Sequence, residues 1–344
     1  MESRPDAGFY YHTTMDNSGD VPAAAALAWL LNSEEPAVRH LTRRDLLGDR
    51  DGEAAAADAA GILEGPKVRA LLAGQQPDGG FGVGPYSKWG GAHWRLVSLV
   101  ELAAPAGEPR LVAAASTVLD WLTGRSHRER VPVIDGLARR CASQEGNALA
   151  VACRLGMADD PRAELLARSL VDWQWPDGGW NCDPRASGRR SSFHESLPPA
   201  WGLHEYWLAA GATWAREAAG RAAELVLSHR LFRSLGDGEV IDRRWLALHS
   251  PPYWHYDVLQ ALVVLSRLGK ASDPRAGDAL ELLVRRRRAD GRWQPGGYWW
   301  RPPGTRSGSG PVEVVDWGRS GPNELLTLNA LRVLHAAGWP ARVR

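Results

Sequence analysis

The sequence predicts an all-α protein built from helical hairpins that pack side by side. Three observations support this: apolar segments with helical spacing, glycine followed by Asp-Pro between these segments, and a repeated turn of the form Asp-Gly-x-aromatic. Of the 344 residues, 44% are hydrophobic and 24% are charged, as in ordinary globular proteins. No Ser/Gly-rich linker interrupts the chain, so we expect a single domain over 1–344.

Two stretches of the chain have the same residues at the predicted end of one helix and the start of the next. Arg154-Leu155-Gly156 is followed by Asp160-Pro161-Arg162, and Arg267-Leu268-Gly269 by Asp273-Pro274-Arg275. Glycine fits the position just after a helix, Asp is a good N-cap, and Pro fits the first helical position. The pattern therefore predicts helices over 148–155, 161–173, 258–268 and 274–288.

The turn Asp-Gly-x-aromatic occurs three times, beginning at Asp78, Asp177 and Asp290. Weaker hairpins are predicted over 94–121 and 203–232, and single helices over 23–31 and 325–337. Segments 1–20, 183–192 and the Gly/Pro-rich 298–320 are expected to be irregular, and 236–240 a small strand pair. This gives about five to six hairpins, which must stack in a line or close into a ring to bury their apolar faces.

The turn region resembles a known repeat. Gln174-Trp175-Pro176-Asp177-Gly178-Gly179-Trp180 is similar to the QW motif of the squalene–hopene cyclase and prenyltransferase superfamily, and 75–81 and 288–293 resemble it more loosely. The resemblance implies an α/α toroid: an inner and an outer ring of helices around a central cavity, with the motif's Gln and Trp tying neighbouring hairpins together. The Asp-x-Asp-Asp acid of the squalene-type cyclases is missing here, and the chain is closer in size to a protein prenyltransferase β subunit.

The resemblance also implies a function: an enzyme that binds an isoprenoid or another largely apolar substrate in an aromatic cavity. The chain has 17 Trp and only four Phe, and Trp can stabilise carbocations by cation–π contact. Acid–base chemistry would come from His, Asp and Glu side chains at the starts of the inner helices, which face one end of such a cavity. A small-molecule substrate is the expected partner.

The candidate catalytic residues are Tyr253, His255, Asp257, His194 and Glu195. They lie in two segments, 251–257 and 191–196, that each precede or begin an apolar helix. Histidine titrates near neutral pH, and Asp257 could orient it. In the alternative interpretation Asp257 caps its helix and Glu195 is a capping-box acid. The candidate substrate-binding residues are Trp89, His93, Glu145, Asn147, Trp201, Trp254, Asn323 and Glu324.

A zinc ion is a candidate cofactor, since the resembled β subunit binds Zn²⁺ through an Asp, a Cys and a His. The candidate ligands here are Cys182, Asp183, His194 and His255, which supply the S, O and N atoms that zinc accepts. Cys182 has no second cysteine near it in the sequence. Two alternatives to a zinc ligand are therefore that its thiol only packs in the core, or that it acts as a nucleophile beside His194. Three cysteines are too few for a disulfide framework.

Two further functions remain open from the sequence. A carbohydrate-active lyase or hydrolase could use the same fold, and a non-catalytic binding scaffold would need no shared site. The net charge of +1 gives no reason to expect a nucleic acid partner. The sequence has no apolar run of about 18 residues, and its polar start does not resemble a signal peptide, so the expected location is the cytoplasm.

Overall fold

The computed structural model describes residues 21–129 and 131–339, and these form an all-α fold as predicted. The predicted irregular segment 1–20 lies outside the described residues. Among the described helices, none combines the length and the apolar composition needed to cross a membrane. The first seven α-helices are α1 (Val21–Leu31), α2 (Pro36–Leu46), α3 (Glu53–Ala60), α4 (Pro66–Leu72), α5 (Ala92–Glu101), α6 (Pro109–Thr123) and α7 (Arg125–Arg128).

A short antiparallel strand pair separates these helices from the second half of the chain. It consists of β1 (Val133–Ile134) and β2 (Leu137–Ala138). The helices that follow are α8 (Ser143–Arg154), α9 (Pro161–Asp172), α10 (Phe193–Ala210), α11 (Thr213–Ser228), α12 (Val258–Arg267), α13 (Gly277–Arg285) and α14 (Glu324–Ala336).

The helices around these two stretches begin and end at the predicted capping residues. Asp160 caps α9 by accepting a hydrogen bond from the Arg162 amide at 2.8 Å, and Asp273 accepts one from Arg275 at 2.9 Å. The glycines at 156 and 269 have φ values of +81° and +69°, a conformation that favours glycine after a helix. The predicted helix 274–288 begins instead as a 3-10 turn and its α-helical part ends at Arg285.

The aromatic turns make the same contacts in both copies of the repeat. Trp180 donates its Nε1 hydrogen to the carbonyl of Leu170 at 2.8 Å, and Trp293 donates to that of Leu283, also at 2.8 Å. The two tryptophans therefore close the turn onto the helix that precedes it.

Glutamine ties each of the two earlier turns to a neighbouring hairpin. Gln174 donates to the carbonyl of Ala218 in α11 at 2.9 Å, and Gln75 donates to that of Arg110 in α6 at 2.8 Å. These contacts have the connecting role that the resemblance implies for this residue.

The helix contacts form a closed circuit. Helices α5, α8, α10, α12 and α14 pack against one another in that order, and α14 packs on α1 and α2. Helix α2 packs on the 3-10 turn Ile62–Glu64, which packs on α4, and α4 packs on α5. Helices α6, α9 and α11 form a second row outside α5, α8 and α10. This circuit is compatible with a ring of hairpins, and the α/α toroid stays a prediction.

Several elements were not predicted from the sequence. Helices α2, α3 and α4 were missed, as was the β1–β2 pair, and the strand pair expected over 236–240 is only a bridge between Arg233 and Val240. Segments 183–192 and 298–320 contain no helix or strand, as expected. Pro198 and Pro199 lie inside α10.

Candidate functional site

The site begins with an unusually close crossing of α8 and α10. A Cβ atom added to Gly146 would lie 2.3 Å from the Pro199 nitrogen, and one added to Gly202 would lie 2.3 Å from the Gly146 carbonyl oxygen. No side chain larger than hydrogen fits at these two positions. The crossing brings the first turns of α8 and α10 together.

Three potential ligand side chains meet at these helix starts. Cys141 precedes α8, Cys182 follows the Trp180 turn, and Glu195 lies in the first turn of α10. Their Sγ and carboxylate oxygen atoms all lie within 4.8 Å of one another. The segments that carry the two cysteines are also joined directly, since the Arg140 amide donates to the Asn181 carbonyl at 3.1 Å.

Glu195 is a buried carboxylate that links the three groups. Its Oε2 accepts a hydrogen bond from the Ser143 amide at 3.0 Å, and the Cys182 thiol lies 3.8 Å from Oε1. It therefore binds the start of α8 and does not act as the capping-box acid of its own helix. Burial raises the pKa of Glu195. The hydrogen bond between the two thiols lowers the pKa of Cys182 and raises that of Cys141.

Glu145 lies in the first turn of α8, one turn after Cys141. Its Oε1 accepts hydrogen bonds from Arg140 at 2.6 Å and 2.8 Å and lies 3.0 Å from Nε2 of His127. Its Oε2 is buried and has no hydrogen-bond partner within the described part of the chain. Burial raises the pKa of Glu145 to about 7, although Arg140 opposes this shift. The carboxyl group is thus partly protonated at neutral pH.

A row of three aromatic rings begins at His127, which contacts the Glu145 carboxyl group. His127 contacts Trp121 with ring centres 4.8 Å apart, and Trp121 stacks on Tyr86 at 5.7 Å. All three rings are only half-buried. Burial and the neighbouring Arg140 lower the pKa of His127 to about 4, so His127 is neutral at pH 7. We call Cys141, Glu145, Cys182 and Glu195 the α8–α10 site.

The strongest sequence candidate, segment 253–257, forms a stacked aromatic cluster. The His255 ring lies between Trp254 and Trp299, at centre distances of 3.9 Å and 3.8 Å. Burial lowers the pKa of His255 to about 3, which keeps it neutral at pH 7. His194 lies 5.6 Å from Trp254, and its Nδ1 accepts a hydrogen bond from the Tyr256 amide at 2.8 Å.

Tyr253 stacks on Trp89 nearby, with ring centres 3.6 Å apart. Its hydroxyl donates to Glu313, and Trp89 donates to the Trp299 carbonyl at 3.1 Å. Glu313 and Trp299 both belong to the Gly/Pro-rich segment 298–320. This segment therefore packs onto the predicted catalytic residues, a contact that sequence spacing could not reveal.

Three other candidates have hydrogen bonds typical of structural residues. Asp257 caps α12 by accepting from the Gln260 amide at 2.9 Å, while its second oxygen accepts from the His249 amide at 2.9 Å. Asn323 caps α14 by accepting from the Leu326 amide at 3.0 Å. Glu324 lies 3.5 Å from Lys67 at the start of α4. These contacts favour the helix-cap interpretation for Asp257.

Trp201 does not join the other candidates. Its Nε1 donates to Glu205 at 2.8 Å, and its ring contacts Arg154 and Arg267, which end α8 and α12. Trp201 therefore belongs to the opposite ends of these helices from the α8–α10 site. A cavity of about 400 Å³ opens there, and its walls include the charged side chains Arg44, Glu101, Arg154, Glu205, Arg267 and Arg332.

His93 and Asn147 are buried in the helix interface. His93 lines a void of about 10 Å³ with Leu96, Val118 and Ala148, and burial lowers its pKa to about 3. The Asn147 amide nitrogen has no partner among the described residues. The His93 ring also contacts Tyr86, with ring centres 5.1 Å apart.

The predicted zinc ligands are not brought together as a set. Of Cys182, Asp183, His194 and His255, only Cys182 belongs to the one cluster of potential ligands found among the described residues. Asp183 instead pairs with Arg185 at 2.7 Å. The second cysteine, Cys141, comes from an earlier hairpin and was missed, although it lies one helical turn before the candidate Glu145.

Fold and site together define an all-α helical-hairpin protein with a thiol and carboxylate cluster at two helix starts. No family model, curated protein or solved structure matches the chain.

Proposed function

We propose that the chain is an enzyme that transfers a proton to or from a largely apolar substrate, with Glu145 as the acid or base. The observation that carries this proposal is the state of Glu145: a buried carboxyl group with a pKa of about 7, one oxygen of which has no hydrogen-bond partner among the described residues. A group with this pKa can both donate and accept a proton at neutral pH.

The neighbours of Glu145 support its role. Arg140 and His127 hold one oxygen in place, while the Oε2 oxygen makes no such contact. Such a division fixes the orientation of the carboxyl and leaves its second, buried oxygen without a contact to these two side chains. The charged and titratable groups that act on Glu145 are Arg140 and Glu195, while burial is the largest influence on its pKa.

The half-buried aromatic rings beside the site indicate an apolar substrate. Tyr86 and Trp121 stack next to His127, and Trp173 lies 5.7 Å from the Arg140 guanidinium. Aromatic faces bind hydrocarbon and also stabilise positive charge that develops during proton transfer to an alkene. An isoprenoid is the substrate class that this wall and the motif resemblance favour.

The experiment is an activity screen followed by one conservative variant. The chain would be incubated with prenyl diphosphates, squalene and oligosaccharides, and products would be identified by mass spectrometry. With the substrate found, Glu145→Gln should lower kcat/KM by about 10²–10⁴-fold. Glu324→Gln, at the start of α14, is the matched control and should retain activity. Equal activities of wild type and Glu145→Gln would refute the proposal.

The pH dependence provides a second measurement. A carboxyl group whose pKa is raised by folding stabilises the protein below the ordinary pKa of 4.5, and this contribution is lost as the pH rises towards about 7. Between these values, the free energy of unfolding of the wild type should fall relative to that of Glu145→Gln, by on the order of 3 kcal/mol. Parallel pH profiles of the two proteins would show that the pKa of Glu145 is not raised.

A second candidate function, carbohydrate conversion, is favoured by the cavity of about 400 Å³ at the other end of the helices. Its Arg and Glu side chains could hydrogen-bond to sugar hydroxyl groups. A product from oligosaccharides that is lost in Glu205→Gln and retained in Glu145→Gln would favour this alternative.

A further inference from the structure

The two cysteines of the α8–α10 site differ from the third cysteine of the chain. Cys141 and Cys182 are half-buried and lie together with Glu195, whereas Cys153 is buried near the end of α8, at the wall of the other cavity. A buried thiol of the Cys153 type acts as a small apolar side chain. Two thiols beside a carboxylate need another explanation, since such groups are the ligands of thiophilic metal ions.

The distances suit a tetrahedral ion after a small contraction. Zinc–sulfur bonds of about 2.3 Å and zinc–oxygen bonds of about 2.0–2.2 Å place neighbouring ligand atoms about 3.5–3.8 Å apart. Cys182 Sγ and Glu195 Oε1 are already 3.8 Å apart, and all three ligand atoms lie within 4.8 Å of one another. Side-chain rotation alone can close the remaining gap.

The surroundings hold the three side chains in this arrangement. The Ser143 amide fixes Oε2 of Glu195, which leaves Oε1 beside Cys182. The hydrogen bond from the Arg140 amide to the Asn181 carbonyl joins the residues next to the two cysteines. Outer contacts of this kind orient the ligands of metal sites and are needed for tight binding.

We propose that Cys141, Cys182 and Glu195 bind one Zn²⁺ ion. Three protein ligands leave a fourth position for water or substrate, as in catalytic zinc sites. Glu145 follows Cys141 by one helical turn and lies outside this set of three ligands. Metal binding is independent of which substrate the chain converts, and it goes beyond the proton-transfer role of Glu145.

The test measures metal binding to the full chain. The reduced protein would be stripped with a chelator, loaded with Zn²⁺ or Co²⁺, passed through a desalting column and analysed by elemental mass spectrometry. We expect one equivalent of metal, and for Co²⁺ the charge-transfer absorption that marks cobalt–thiolate bonds. Cys141→Ser and Cys182→Ser should lose both signals, while Cys153→Ser, the matched control, should keep them. Glu195→Gln should weaken binding by at least about tenfold.

A second measurement needs no variants. Alkylation with a small reagent, followed by peptide mass spectrometry, should show that Zn²⁺ protects Cys141 and Cys182 and leaves the labelling of Cys153 unchanged. Absence of stoichiometric metal in the reduced wild type, or equal metal loss in Cys153→Ser and Cys141→Ser, would overturn the proposal. A Cys141–Cys182 disulfide that forms in air together with no metal binding after reduction would also overturn it. Because Glu145→Gln should still bind zinc, failure of one proposal is distinguishable from failure of the other.

Discussion

The crossing of α8 and α10 makes Gly146→Ala the most informative stability variant. The added Cβ would lie 2.3 Å from the Pro199 nitrogen and 2.4 Å from the Pro198 carbonyl carbon. These are backbone atoms inside α10 and cannot rotate away, so the two helices would have to separate by roughly 1 Å to restore van der Waals contact. Their interface is the most extensive helix contact of the described chain.

The expected magnitude combines two opposing effects. Overpacking of a tight interface costs about 3 kcal/mol when backbone must move, and the better helix propensity of Ala offsets about 1 kcal/mol. The free energy of unfolding should therefore fall by about 2 kcal/mol, and Tm by about 3 °C for a chain of this size. Separation of the helices should also weaken the bond between Ser143 and Glu195.

Urea denaturation followed by circular dichroism measures this change, and Gly220→Ala provides the control. Gly220 lies inside α11, and a Cβ added there meets no atom within 4 Å. This variant should gain up to about 1 kcal/mol from helix propensity alone. If Gly146→Ala is as stable as Gly220→Ala, the close crossing does not exist and the geometry of the α8–α10 site is wrong.

Two further predictions concern residues that the structure assigns to the scaffold. Trp180→Phe and Trp293→Phe each remove a hydrogen-bond donor to a helix carbonyl, so each should lower the free energy of unfolding by about 2 kcal/mol. Urea denaturation of the double variant should give the sum of the two losses. A negligible loss at either position would contradict the turn-closing role. Asp257→Asn removes the negative charge of the carboxylate that accepts a hydrogen bond from the His249 amide, so the free energy of unfolding should fall by about 1–3 kcal/mol in the same assay. Unchanged stability would instead support the catalytic hypothesis for Asp257.

The sequence predicted the local structure better than the site. Helix ends could be read from Asp160 and Gly156 because caps and left-handed glycines are determined by neighbours along the chain. Helices α2 and α3 were missed because they lie outside the repeated Gly…Asp-Pro and aromatic-turn pattern, whereas α4 was missed although it directly precedes the turn at Asp78. The candidate zinc ligands were taken from the segments that follow Cys182, as far as His255, whereas the structure places Cys182 beside Cys141 from an earlier hairpin.

The aromatic segment 253–257 shows a different limit of sequence reasoning. Its composition is typical of a binding site, yet Trp299 from segment 298–320 stacks on His255, and Glu313 accepts from Tyr253. Such contacts depend on how an irregular segment folds back onto the helices, and the sequence of an irregular segment has no periodicity from which its path could be predicted. Glu145, by contrast, was identified as a candidate because it lies at a helix start, although its raised pKa depends on burial that only the structure reveals.

The contact of α14 with α1 and α2 also restricts how this architecture can change in length. An open stack of hairpins can gain or lose a unit at its end, where only one face is disturbed. Among the described helices, the last, α14, is a neighbour of the first, α1. In the ring that we predict, adding or deleting a hairpin would change the circumference and with it the separation of every pair of helix starts, so we expect the number of repeats and the geometry of the α8–α10 site to be inherited together.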